Sequence, residues 1–115
     1  MKPSLYLETT IPSFLVRDLS PILRSAAHQI ATRRWWDLRR DEYELYVSSI
    51  VEDEIGQGNL ALAEKRLALV ADLPRLAVTD AVGALAAELH AYLHLPPVAK
   101  ADAIHLALAC HYEID

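Results

Sequence analysis

The sequence predicts an α/β fold in which a short parallel sheet is covered by helices. Short apolar segments alternate with longer amphipathic ones, prolines and glycines separate the segments, and 53% of the 115 residues are hydrophobic. This length is typical of one domain with a substantial core, so we expect residues 1–115 to form a single domain.

The first half of the chain begins with a strand and a pair of helices. Ser4–Glu8 is a short apolar strand, and Thr10 is placed to cap a helix that tolerates a proline in its first turn. Apolar residues at helical spacing predict a long amphipathic helix over Pro21–Arg40. Glu44–Ser48 is the second predicted strand.

The second half repeats this alternation. A short helix over Ile50–Gly56 ends at a glycine, and alanine and leucine favour another helix over Leu60–Asp72. Arg75–Thr79 is a third strand, followed by a helix from Asp80 to Leu93. A Pro-Pro pair then precedes a final helix over Val98–Tyr112. Strands that alternate with helices imply a parallel sheet, and ligands bind at the carboxyl ends of such strands.

Composition and charge restrict the function. The formal net charge of −5 argues against nucleic-acid binding by bulk electrostatics, but it does not exclude a nuclease with local basic patches. No apolar run reaches the roughly 20 residues that a membrane span needs, so we expect a soluble cytoplasmic protein with no membrane partner. The single cysteine, Cys110, is expected to be a buried thiol.

Three acidic residues far apart in sequence occupy similar positions between apolar segments. Glu8 ends the first strand, Glu54 follows the second strand, and Asp102 lies in the first turn of the last helix. A carboxylate beside apolar side chains is costly to bury unless a cation, a donor network or water compensates it. Hard divalent cations prefer such oxygen ligands, so the pattern suggests one metal site.

Helical geometry predicts that two of these acids face the protein interior. At 100° per residue Glu54 falls within the apolar face of its helix, whereas Asp53 lies opposite. Asp102 projects away from the stripe of Lys100 and His111, so we expect it to face protein. Each acid also has a simpler interpretation: Glu54 at the rim of the core, Asp102 as a helix-dipole partner and Glu8 as a solvated loop residue.

The segments around these acids resemble the three acidic motifs of the PIN-domain family, and within it the VapC-like toxins of type II toxin–antitoxin systems. The resemblance covers essentially the whole chain and is carried by Tyr6–Ser13, Val47–Ile55 and Asp102–Ala107. It implies a three-layer α/β/α fold with a short parallel central sheet. Relatives usually continue past the last helix into another strand, so the chain is expected to lack that strand and to be short at its C-terminus.

The resemblance also implies an activity. Members are usually Mg²⁺- or Mn²⁺-dependent ribonucleases, often homodimeric and held inactive by a protein antitoxin. Carried across by position, the metal-binding and catalytic acids are Glu8, Glu54 and Asp102, and the supporting hydroxyls are Thr10 and Ser49. We therefore expect metal-assisted hydrolysis of RNA. An alternative is a catalytically impaired PIN-like module that binds RNA or a protein partner.

Two other groups of residues allow further hypotheses. His90 and His94 are four residues apart on a predicted helix, a spacing that suits zinc, although no third ligand is evident. His105 lies three residues after Asp102 and is either a packed core histidine or a hydrogen-bond partner of that carboxylate.

The second group is a segment rich in arginine and tryptophan, at positions 33–36, 39 and 40. Its cations and aromatic rings could contact RNA, or they could form an interface with another protein chain. The simpler interpretation is a solvated helix end whose tryptophans point inward.

Overall fold

The computed structural model describes all 115 residues and contains the predicted order of elements. The strands are β1 (Ser4–Tyr6), β2 (Glu44–Ser48) and β3 (Arg75–Leu76). The helices are α1 (Thr10–Val16), α2 (Leu23–Arg39), α3 (Ser49–Ile55), α4 (Leu60–Val70), α5 (Asp80–Tyr92) and α6 (Lys100–His111). Short 3₁₀ turns at Arg40–Glu42 and Pro97–Ala99 precede β2 and α6. The predicted α/β class is confirmed.

The three strands form a parallel sheet in the order β1-β2-β3. Two strands are shorter than predicted, because the chain leaves the sheet early. After β1, the backbone N–H of Thr10 donates to the side chain of Glu8 as the chain turns into α1. After β3, the carbonyl of Ala77 accepts a hydrogen bond from the Tyr112 hydroxyl at 2.7 Å.

Helices cover the sheet on two sides. Alternate residues of a strand point to opposite faces, and Leu45 and Val47 of β2 join a core cluster that includes Trp36 and Ile55. Tyr46, between them, packs against the second cluster. The residues of that second cluster lie on β3, α5 and α6: Leu76, Val82, Ala86, Ala103, Ala107 and Leu108. This arrangement is compatible with three layers, with α5 and α6 packed on each other.

The start of α1 differs from the prediction. Thr10 is the first residue of the helix and not its cap, and Thr9 holds the cap position without a side-chain capping bond. The carboxylate of Glu8 accepts from the backbone N–H of Thr10 at 2.9 Å. The N–H of Ile11 donates to the backbone carbonyl of Glu8 and Pro12 has no N–H, so the Thr9 hydroxyl has no capping partner and bonds elsewhere.

The orientation of α6 also differs from the prediction. Asp102 is exposed and does not face protein, and Cys110 is exposed and not part of the core. The buried face instead contains His105 and Ala107. This helix is alanine-rich and apolar on most sides, so its sequence has little periodicity from which to deduce a buried face.

None of the helices combines the length and the apolar character that crossing a membrane would require.

Candidate functional site

An open cleft lies at the carboxyl end of β1, beside the first turns of α6. Its volume is about 380 Å³. The residues that line it are Tyr6, Glu8, Asp102, His105, Leu106, Ala109 and Asp115. Parallel α/β sheets place their ligands at this edge, where strands end and helices begin. The cleft is therefore the candidate functional site.

A chain of side-chain hydrogen bonds runs from the cleft into the protein. The Tyr6 hydroxyl lies 2.8 Å from Ser48 Oγ and 2.6 Å from His105 Nδ1. On the other side of the imidazole, His105 Nε2 lies 2.7 Å from Glu54 Oε1. The Thr9 hydroxyl donates to the same oxygen at 2.9 Å. These contacts join β1, β2, α3, α6 and the loop before α1.

Local structure explains why these five side chains meet. Tyr6 and Tyr46 are register partners, so Tyr6 and Ser48, two residues beyond Tyr46, share one face of the sheet. Ser48 is fully buried and caps α3, where its Oγ accepts from the backbone N–H of Val51 at 3.4 Å. One helical turn later α3 presents Glu54, while His105 reaches the same point from α6.

Burial changes the acidity of the tyrosine in this network. Loss of solvent contact, reinforced by the negative charges of Glu54 and Glu8, raises the pKa of the Tyr6 hydroxyl to about 12. The hydrogen bond with Ser48 acts in the opposite direction, but it is the weaker effect. Tyr6 therefore keeps its proton at neutral pH and is available as a hydrogen-bond donor.

The three predicted acids occupy two neighbouring places. Glu8 and Asp102 line the same cleft, whereas Glu54 is connected to that cleft through His105. Glu54 is half-buried and Asp53 is exposed, as helical geometry predicted. No group of three or more His, Cys, Asp or Glu side chains lies close enough together to hold a metal ion. The three-acid metal site stays a prediction.

Two hydroxyls of the network lie one residue before the predicted supporting pair, and of these only that of Thr9 contacts an acid. Thr9 and Ser48 are in the hydrogen-bonded network. Thr10 and Ser49 are exposed, and neither hydroxyl bonds to an acidic side chain of the site. Their supporting roles stay predictions, whereas the contacts of Thr9 and Ser48 are structural facts.

Besides Thr9 and Ser48, two further members of the network were not predicted as site residues. His105 is buried, as expected for a packed core histidine, but its carboxylate partner is Glu54 and not Asp102. Tyr6 had no role assigned. The available signal was its place in the strand directly before the acidic residue, since a polar tip on an apolar strand needs a buried partner.

The proposed zinc pair is not brought together on one helix. The helix α5 ends at Tyr92, so His94 lies beyond it, in a left-handed backbone conformation with φ of 53°. His90 Nε2 lies 3.0 Å from the carbonyl oxygen of Pro96. The predicted placement of both histidines on one helix is therefore wrong, and zinc binding by this pair stays a hypothesis.

The arginine- and tryptophan-rich segment is largely engaged within the protein. Trp36 is buried, and the guanidinium of Arg40 lies 4.6 Å from the centre of its ring. Arg39 forms an ion pair with Glu42, and Arg33 donates to the carbonyl of Arg17. This agrees with the simpler interpretation of inward-pointing tryptophans, although Arg34, Arg39 and Arg40 are all exposed to solvent.

Comparisons of the chain with protein-family models, with curated proteins and with solved structures find no match.

Proposed function

We propose that this chain is a PIN-like, metal-dependent ribonuclease that hydrolyses phosphodiester bonds of RNA, and that it is the toxin of a toxin–antitoxin pair. The observation that carries the proposal is the shared cleft of Glu8 and Asp102, linked through His105 to Glu54. Two acids far apart in sequence meet at the edge of the sheet where α/β folds bind ligands. The same two acids belong to motifs that resemble the family.

The donor atoms in the cleft suit Mg²⁺ or Mn²⁺. Mg²⁺ usually keeps several waters and binds through one or two carboxylates together with substrate phosphates, so it does not require a cage of protein ligands. Glu8 and Asp102 supply two such carboxylates, and Glu54 is the third acid of the proposed site. When bound, the ion would supply Lewis acidity toward the phosphate and neutralise developing negative charge.

The side chains have distinct tasks in this proposal. Glu8 is held by the backbone N–H of Thr10, and Asp102 projects from the first turn of α6. Both would hold the cation in the open cleft, where a phosphate of an RNA strand can enter. Glu54 Oε1 already accepts two hydrogen bonds, so Glu54 would contact the cation through Oε2, which has no protein partner.

A protein partner belongs to the same proposal. The helix α2 carries large apolar side chains in contact with solvent, including Leu23 at 85% exposure and Leu38 at 73%. Where such side chains form one continuous patch, that patch marks an interface with a partner. We propose that it serves an antitoxin or a second copy of the chain in a homodimer. A cytoplasmic location, where RNA and an antitoxin would be encountered, is part of the proposal.

A second candidate is a catalytically impaired module of the same fold that binds RNA or a protein. The observation in its favour is that one oxygen of Glu54 is already occupied by His105 and Thr9, while no three-ligand group is formed. Such a module would need no divalent cation. Metal affinity therefore separates the two candidates.

Calorimetric titration with Mn²⁺ tests the proposal without a guess about the RNA sequence. The parent chain is compared with Asp102→Asn and Glu8→Gln, and with Asp53→Asn as the matched control, since Asp53 is an exposed acid. We expect binding by the parent and the control and its loss in the two site variants. Cleavage of a mixed RNA pool with Mn²⁺, abolished by a chelator, would then establish the activity. Absence of Mn²⁺ binding in the parent would favour the binding module.

A further inference from the structure

We infer that Tyr6 and His105 are positioning residues that hold the Glu54 carboxylate in place, with the histidine as a bridge that carries its proton on Nε2. The inference deepens the proposed function and rests on it for its catalytic consequence. The structural part of the inference is that the His105 ring is held between Tyr6 and Glu54, which lie on different elements.

The hydrogen-bond partners determine the position of each proton. An ionised carboxylate can only accept, so the contact of His105 Nε2 with Glu54 Oε1 at 2.7 Å requires a proton on Nε2. The Tyr6 hydroxyl, 2.6 Å from Nδ1, can then donate to an unprotonated nitrogen. Ser48 in turn donates to the Tyr6 oxygen and accepts from the backbone N–H of Val51. Every polar atom along this path is then satisfied.

The opposite arrangement leaves a buried donor without a partner. If Nδ1 carried a proton, Tyr6 would have to accept it and donate its own hydrogen to Ser48. The Ser48 hydroxyl hydrogen would then have no acceptor, and this residue is fully buried. Buried polar groups in folded proteins are nearly always paired, which disfavours that arrangement.

The two hydrogen bonds of His105 limit what its ring can do in the site. Both ring nitrogens of His105 are engaged, so the ring has no free atom with which to bind a metal ion or remove a proton from a water. Its effect is exerted on Glu54, whose Oε1 is fixed by His105 and Thr9 while Oε2 stays free. Carboxylates that contact a cation are commonly oriented in this way by outer partners.

The first test determines the tautomer of His105 by NMR and needs neither metal nor substrate. Long-range ¹H–¹⁵N NMR of the full chain should identify His105 as the Nε2–H tautomer with an unprotonated Nδ1. In Tyr6→Phe, the Nδ1 resonance should shift and the Nε2 proton should exchange faster with water, because one anchor is lost. Tyr46→Phe is the matched control, since the Tyr46 hydroxyl makes no hydrogen bond. A protonated Nδ1 in the parent, or unchanged ring resonances in Tyr6→Phe, would overturn the inference.

The second test measures the catalytic consequence with two variants at one position. The amide nitrogen of a glutamine lies where Nε2 lies in histidine, whereas an asparagine is too short to reach Glu54. We expect His105→Asn, which loses the bond to Glu54, to lower kcat for RNA cleavage about 10- to 100-fold with little change in KM. His105→Gln and Tyr6→Phe each lose only the contact between Tyr6 and Nδ1, so both should lower kcat by a smaller and similar factor. Folded Asn and Phe variants with the parent's kcat would contradict the positioning role. An inactive parent with the expected ring tautomer would instead disprove the proposed ribonuclease and leave the ring arrangement supported.

Discussion

Arg66 on α4 donates from Nε to the carbonyl oxygen of Ile55, the last residue of α3, at 2.9 Å. A second nitrogen of the same guanidinium donates to the carbonyl of Gln57 at 2.7 Å. The arginine is only 6% exposed and has no carboxylate partner. Carbonyls at the carboxyl end of a helix lack intrahelical partners and carry partial negative charge, so a buried cation is stabilising there. Arg66 thus fixes the end of the helix that presents Glu54.

Replacing this cation should destabilise the whole domain. Hydrogen bonds from charged groups contribute about 1.5–3 kcal/mol, so Arg66→Met should lower the free energy of unfolding by about 2–3 kcal/mol. Lys65→Met, at the adjacent exposed position of α4, should change it by less than about 0.5 kcal/mol. Urea denaturation of both variants measures the difference. Equal stability of the two variants would show that Arg66 does not secure α3.

The two neighbouring threonines before and within α1 provide a matched test of the site. The Thr9 hydroxyl donates to Glu54, whereas the Thr10 hydroxyl contacts no acid and only its backbone N–H bonds to Glu8. If Glu54 contributes to metal binding as proposed, Thr9→Val should weaken Mn²⁺ affinity by about tenfold. Thr10→Val should bind Mn²⁺ as the parent does. The reverse order, measured by calorimetry, would restore Thr10 as the supporting hydroxyl.

The tyrosine of the network should make stability depend on alkaline pH. The pKa of the Tyr6 hydroxyl is raised by burial from 10.0 to about 12, so the folded chain keeps a proton that the unfolded chain releases. The resulting stabilisation is fully present below pH 10 and is lost as the pH rises toward 12. The free energy of unfolding should therefore fall more steeply over this range in the parent than in Tyr6→Phe. Tyr46→Phe should behave as the parent, and identical slopes in all three proteins would contradict the assignment.

Local sequence signals were sufficient for most of the fold. The strand Glu44–Ser48 forms where it was predicted, and the helix predicted over Leu60–Asp72 begins at Leu60 and ends at Val70. Helical geometry correctly separated Glu54 from Asp53 on α3. The short strand β3 was predicted too long, because its end depends on the contact between Tyr112 and Ala77, which are 35 residues apart.

The site could be predicted only in part, because its contacts are non-local. Motif positions indicated Glu8 and Asp102, which do line one cleft. The contact between Tyr6 and His105 joins residues 99 positions apart, and no local pattern contains that information. Asp102 was assigned to the wrong side of α6, because a helix with apolar residues on most faces has no periodicity from which to deduce its orientation.

Two glycines should respond oppositely to the same substitution. Gly58, between α3 and α4, has φ of +83°, a conformation in which an L-residue is strained. Gly83 lies inside α5 in an ordinary helical conformation, and a Cβ at either position would meet no atom within 4 Å. Because neither change creates a clash, only backbone preference differs. Gly58→Ala should lower the free energy of unfolding by about 1–2 kcal/mol, and Gly83→Ala should raise it by about 1 kcal/mol. Urea midpoints that shift in the same direction would show that contacts, and not backbone conformation, determine the outcome.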